Sequence, residues 1–163
     1  MLEVELTTMC AVFDKSNDRV LFINRKNNWK GYAFPGGHLD NGESMHECII
    51  REIYEETGLQ LKSVNYIGIT HFFNTENNKR HIISNFTSSD YEGILLPYCD
   101  EGDIEWVKIE DISTLQLAEG MEQRLDLFLE NSCKEMYVEW NETNGYTRVT
   151  KTVQIGEYNG EKL

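Results

Sequence analysis

Apolar and polar positions fall along the chain in blocks whose periods name their own secondary structure. VELTTMCAVFD (4–14) and RVLFINR (19–25) read as two strands around the polar turn KSND (15–18). The second is nearly continuous in apolar residues, the pattern of a strand covered on both faces. VNYIGITHFFN (64–74) and RHIISNFT (80–87) form another pair across the polar TENNK segment, and IEWVKI (104–109) reads as a further strand. MYVEW (136–140), the loop NETNG (141–145) and YTRVTKTVQI (146–155) predict a C-terminal β-hairpin, bounded at about 134–156.

Twice the period changes to that of a helix. Ser44 is a good N-cap, Ser44 with Glu47 makes a capping box, and Gly58 suits the position past the last turn, so a helix is predicted over 45–57. In GMEQRLDLFLEN (120–131), Met121, Leu125, Phe128 and Leu129 mark one apolar side of a second helix. Between strand and first helix, AFPGG (33–37) has to bend sharply, because proline fixes one dihedral and two glycines follow. Strands interleaved with two helices predict an α/β/α sandwich around a mixed sheet.

Composition narrows the class. The 163 residues fit one domain, 1–163, and 40% apolar with 11% aromatic residues mark a folded chain. No apolar run reaches membrane-spanning length, and MLEVELTT lacks the basic start of a secretory signal. Cys10, Cys48, Cys99 and Cys133 are scattered without a CxxC pair, which fits small buried residues in a reducing cytoplasm better than disulfides or structural zinc. A net charge of −13 argues against long nucleic acid as a partner. A small phosphorylated ligand stays open if a local cation helps to hold it.

That cation has an address. GGHLDNGESMHECIIREIYEETGL (36–59) carries six acids around a single arginine. At 100° per residue, Glu52, Glu55 and Glu56 share an arc of roughly 100° on the predicted helix. A solvated acidic face is one reading of this arc. Like charges so placed cost a purely structural helix a few tenths of a kcal/mol each. The Pro-Gly-Gly turn brings backbone carbonyls to the same arc. Clustered oxygen donors suit Mg²⁺, or Mn²⁺ in its place.

The segment resembles the motif of the Nudix hydrolases, G-x5-E-x7-R-E-U-x-E-E-x-G-U with U a bulky aliphatic residue. Gly37, Glu43, Arg51, Glu52, Ile53, Glu55, Glu56, Gly58 and Leu59 match it without departure, and the predicted strand order is similar to the family's sandwich over nearly the whole chain.

The resemblance implies hydrolysis of a nucleoside diphosphate linked to another group, by water attack at phosphorus. Glu52, Glu55 and Glu56 would hold metal with the carbonyl of Gly36 or Gly37, and Glu52 would also help take the proton. Glu43 and Arg51 would pair across the loop–helix junction and hold the loop in shape. Glu101 sits where small nucleotide-cleaning members carry an assisting glutamate, although it also reads as an ordinary loop acid. Arg25 corresponds to a basic residue that touches phosphate or nucleotide in MutT-like members, or is a plain strand-end charge. Tyr32 lines the base pocket or belongs to the core. His38, His46, His71 and His81 show no metal spacing; His46 is expected on the exposed helix face, and His71 opposite His81 across a strand pair.

Within the family, the closing helix and hairpin resemble the mammalian oxidised-purine triphosphatase, which implies 8-oxo-dGTP cleaved to monophosphate and pyrophosphate. Two positions depart from it. Ala33 stands where that relative has its base-reading asparagine, and Glu119 is the single acid where it has a pair. ADP-ribose, dinucleoside polyphosphates, RNA 5′ ends and non-catalytic nucleotide binding are the alternatives. A monomer and a homodimer are equally compatible with the sequence.

Overall fold

The computed structural model describes residues 2–130 and 134–152. Cys133, the end of the predicted second helix at residue 131 and the hairpin beyond residue 152 lie outside the described residues. Among the described residues ten strands and two α-helices follow one another: β1 (Glu3–Asp14), β2 (Arg19–Arg25), β3 (Gly31–Ala33), α1 (Met45–Thr57), β4 (Leu59–Leu61), β5 (Asn65–Asn74), β6 (Lys79–Ser88), β7 (Tyr91–Gly93), β8 (Gly102–Lys108), α2 (Met121–Leu129), β9 (Glu135–Asn141) and β10 (Gly145–Thr152). A 3₁₀ helix, Ile109–Thr114, follows β8.

The main sheet runs β10-β9-β5-β6-β1-β2-β3, with β8 also paired to β2. β1 lies parallel to β6 and β5 parallel to β9, while the other pairs are antiparallel, so the sheet is mixed as predicted. The predicted C-terminal hairpin is β9–β10. Strand alternation splits the core into two layers. Cys10 and Val12 of β1 join Ile49 and Ile53 of α1 on one face; Ala11 joins Met121, Leu127 and Phe128 of α2 on the other. The result is an α/β/α sandwich.

Helix α1 occupies the predicted span. The Ser44 hydroxyl accepts from the Glu47 amide at 3.2 Å, the Glu47 carboxylate accepts from the Ser44 amide at 2.8 Å, and Gly58 ends the helix at φ 75°. β3, β4 and β7 escape the sequence pattern because three residues are too few to show a period.

Two expectations need correction. The buried side of α2 is Met121, Arg124, Leu127 and Phe128, while Leu129 is exposed. Reading every arginine as polar moved the stripe by one position. The second concerns the strand histidines. Pairing sets His71 opposite Ile82 and Phe72 opposite His81, so the two rings lie on opposite faces of the sheet. A one-residue difference in register always has that effect.

Candidate active site

The Pro-Gly-Gly loop is locked onto β1. The Cys10 amide donates to the Pro35 carbonyl at 2.9 Å, and the Thr8 amide to the Gly37 carbonyl at 2.8 Å. A Cβ on Gly36 would run into the Thr8 carbonyl, and one on Gly37 would meet the Glu52 carboxylate oxygens at 2.5 Å. Only glycines let the loop lie this close both to the strand and to the acidic helix.

Arg51 organises the acids. Its guanidinium donates to both carboxylate oxygens of Glu43 (3.0 and 2.7 Å), to Glu52 (2.9 Å), to Glu55 (3.0 Å) and to the His38 carbonyl (3.1 Å). The Glu43 carboxylate also accepts from the Asp40 amide at 2.8 Å. Arg51 and this amide hold the Glu43 carboxyl down at about 2. The loop–helix junction is therefore tied by a bidentate ion pair, the geometry in which arginine is strongest.

Glu56 sits on the other flank and accepts from the Gly36 amide at 3.0 Å. Burial pushes its carboxyl up to about 8, and the charges of Glu101 and Glu52 add to the rise. Burial also raises Glu52, against the pull of Arg51. Glu101 is tied to Arg25 at 2.6 Å. Among the described residues, no three His, Cys, Asp or Glu side chains already converge as a finished cation site. Glu52 and Glu55 turn toward Arg51 instead, and Glu56 toward the loop. The chemistry nonetheless fits a hard cation. Glu52, Glu56 and Glu101 repel one another in a half-buried place, their donors are all oxygen, and among the described residues their compensation comes from Arg51, Arg25 and the Gly36 amide.

A cleft of about 590 Å³ opens beside this cluster. Gly36, Gly37, Arg25 and Glu101 line one part of its wall, and Phe72, Trp140 and Tyr146 another. Of the predicted site residues, Gly36, Gly37, Glu43, Arg51, Glu52, Glu55, Glu56, Arg25 and Glu101 are brought together by these contacts. Glu119 is exposed and lines the cleft beside Ala118. Tyr32 is absent from the cleft wall: its hydroxyl donates to Glu105 at 2.9 Å and its ring packs edge-on against Phe22. His71 pairs with Arg80 at 2.7 Å, and His81 shares a 2.7 Å hydrogen bond with Thr7. The sequence reading missed the cleft residues Trp29, Phe72, Trp140, Tyr146 and Arg124, which five separate segments contribute. Arg124 alone had a signal, its place between Met121 and Phe128 on the apolar stripe.

A model of the NUDIX domain matches residues 5–129. The chain belongs to the Nudix family. The uncharacterized Nudix hydrolase YvcI of Bacillus subtilis is 28% identical over 135 residues, 79% of this chain and 82% of YvcI. An ADP-ribose pyrophosphatase of Methanocaldococcus jannaschii is 44% identical over 61 residues, 36% of each chain. A MutT protein from Bacillus halodurans superposes with a TM-score of 0.75 at 24% identity, over 90% of this chain and 97% of its own, and shows the fold. This Nudix domain is a hydrolase acting on pyrophosphate bonds, and Nudix hydrolases generally need divalent metal ions. Among the described residues no helix is long and apolar enough to cross a membrane.

Proposed function

We propose that this Nudix hydrolase cleaves a nucleoside triphosphate to the monophosphate and pyrophosphate, with Mg²⁺ as cofactor and an oxidised purine nucleotide such as 8-oxo-dGTP as substrate. The observation that carries the reading is the cleft. It opens beside the acidic cluster: Gly36, Gly37, Arg25 and Glu101 line the part of its wall suited to phosphate, aromatic rings line another part suited to a base, and its volume is about 590 Å³. The hairpin supplies Trp140 and Tyr146 to that wall, in keeping with the resemblance of the chain's end to the oxidised-purine triphosphatase. Free Cys10, Cys48 and Cys99 fit a cytoplasmic setting.

Glu52, Glu55 and Glu56 would hold the metal, with Glu101 and a carbonyl of the Gly36–Gly37 turn. The Gly37 carbonyl already accepts from Thr8, which favours that of Gly36. When bound, the ion neutralises phosphate charge and makes a bound water acidic enough to attack. Glu52 would take the proton of the attacking water, because burial keeps its carboxylate more basic than an exposed one. Arg25 offers its guanidinium to phosphate, exchanging Glu101 for the ligand. Arg51 and Glu43 keep the loop against α1, so the carboxylates meet the substrate already oriented.

The test is product identity on a panel with Mg²⁺: the four common dNTPs, 8-oxo-dGTP, ADP-ribose and a dinucleoside tetraphosphate, with Glu55→Gln as control. Monophosphate plus pyrophosphate, formed fastest from 8-oxo-dGTP and lost in the variant, is the expected result. Fastest turnover of ADP-ribose or the dinucleotide discards the proposed substrate.

A further inference from the structure

The floor of the cleft holds a cation with no anion among the described residues. Arg124 is only 4% exposed and reaches the cleft between β1 and α2. Its donors find weak partners: the Met9 thioether at 3.0 Å, the Met121 thioether at 3.8 Å and the Asn85 amide oxygen at 3.2 Å. Its Nε–H has no hydrogen-bond partner among the described residues. Among the described residues no carboxylate forms an ion pair with it. Burial pulls its pKa down to about 10, so it remains charged at neutral pH. A lone buried guanidinium is expensive, and one left short of acceptors more so.

Folding gains little from this arrangement beyond the guanidinium's place over the Phe128 ring, 6.0 Å from its centroid. A methionine would fill the same space beside Met9, Met121 and Phe128 without desolvating a charge. Nor is the site remote from the chemistry. Met9, whose sulfur meets Arg124, is the residue whose Cα a side chain at Gly36 would strike. Arg124 thus lies within one side chain of the Pro-Gly-Gly loop. The aromatic rings of Phe72, Trp140 and Tyr146 line the same cleft. A ligand held by phosphate at the loop and glutamates would have those rings and the guanidinium as cleft wall for its base.

We propose that Arg124 is a specificity-determining residue that selects nucleotides whose base presents a carbonyl edge. The inference rests on the reading of the cleft as a nucleotide site. Arginine only donates, so it satisfies the O6 and N7 of guanine, the O6 of its 8-oxo form, or the O4 of thymine. When the base turns its 4- or 6-substituent to the guanidinium, the exocyclic amino group of adenine or cytosine sets donor against donor, and acceptors remain only at ring nitrogens and at the cytosine O2. Asn85 does not reverse the preference, because it is fully buried away from the cleft wall, its amide oxygen accepting from Arg124 at 3.2 Å and its amide nitrogen donating to Thr70 at 3.0 Å. The preference separates keto bases from amino bases, not oxidised from normal guanine.

The experiment uses the full chain with two readouts. One is kcat/KM with Mg²⁺ on dGTP, 8-oxo-dGTP, dTTP, dATP, dCTP and ADP-ribose. The other is calorimetric binding of the non-hydrolysable α,β-methylene analogues of dGTP and dATP. Wild type should favour keto over amino bases at least tenfold in both. Arg124→Met should bring the ratio within about threefold, and Arg124→Lys, which keeps a charge but not the fork, should fall between. Circular dichroism confirms that each variant is folded. Turnover that is Glu55-dependent but indifferent to the base overturns the inference and leaves the hydrolase reading intact. Keto-selective binding without turnover does the reverse. A preference for dATP or ADP-ribose, or an unchanged ratio in folded Arg124→Met, overturns the role of Arg124.

Discussion

Arg51 on α1 and Arg124 on α2 lie on opposite faces of one sheet and live under opposite conditions. Arg51 is partly exposed and meets three glutamates and a backbone carbonyl, all between 2.7 and 3.1 Å. Arg124 is buried more deeply and, among the described residues, meets two thioethers, an amide oxygen and the face of Phe128 at 6.0 Å. The cation with ample access to water has every partner it can use, and the cation without water has almost none. A saturated arginine is committed to holding a shape. An unsaturated one in a cleft keeps its donors for something that arrives later. The acids around Arg51 show the same division: Glu43 is fully engaged and strongly acidic, while Glu56 is short of compensation and pushed up to about 8.

The largest effect should come from the uncompensated acid. Glu56→Gln keeps the shape and can still accept from the Gly36 amide, but it removes an oxygen anion from the cluster. Turnover on the best nucleotide should fall by about 10²–10⁴-fold. Thermal unfolding without metal should show no loss of stability, because a buried carboxyl has been replaced by a neutral isostere. A fully active Glu56→Gln would break the distinction between structural and chemical acids on α1.

Next in size is the pair of arginine truncations. Arg51→Met leaves Glu43 and Glu52 without their main donor, and for the half-buried Glu52 the lost charge-assisted bond amounts to about 2 kcal/mol. That corresponds to a midpoint lower by roughly 4–8 °C at this chain length. In Arg124→Met two effects oppose: the cost of a buried charge disappears, and the Asn85 oxygen loses a donor. Its stability should stay within about 1 kcal/mol of wild type or rise. Differential scanning calorimetry of both decides the matter. If Arg124→Met unfolds as early as Arg51→Met, the two arginines do the same work and the contrast is false.

What could be read from the sequence follows the same line. The cap at Ser44, the glycine stop and a continuous acidic motif are local, so α1 and its ion-pair partners appear in one segment of 24 residues. Long strands with clear alternation were equally readable. The cleft was not, because Phe72, Arg124, Trp140 and Tyr146 come from four separate elements that meet only through the sheet order. Tyr32 shows the limit at short range. Its distance from the motif was known, but whether it faced the cleft depended on the pairing of β3 with β2. The position of Arg124 on the stripe was visible, yet a polar label hid it.

A third test uses pH. Glu56 has a folded pKa raised above its ordinary value, so the folded state binds the extra proton and stability falls as pH rises from 4.5 to about 8. His81 acts in the opposite sense. Burial holds its pKa down at about 4, so stability rises as pH rises from 4 to 6.5. The two slopes oppose below 6.5, and only that of Glu56 remains above. Metal-free protein should therefore lose on the order of 1–2 kcal/mol between pH 6.5 and 8. Glu56→Gln should flatten the decline, and so should saturating Mg²⁺. Denaturant midpoints at the two pH values measure it. A wild type and variant with equal slopes would mean that Glu56 is compensated after all.

The smallest effect isolates the scaffold from the chemistry. α1 begins with a complete capping box, whereas α2 begins at Gly120 with no side-chain cap. Ser44→Ala removes the hydroxyl that accepts from the Glu47 amide, and the Glu47 carboxylate keeps only its bond to the Ser44 amide position. The loss should be about 1 kcal/mol, or 2–4 °C in the unfolding midpoint. Turnover should stay within twofold of wild type, since Arg51 and Glu43 still fasten the loop one turn further along. A large fall in rate at this small cost in stability would show that the cap helps aim the glutamates. The division drawn around Arg51 would then have to include the first turn of the helix.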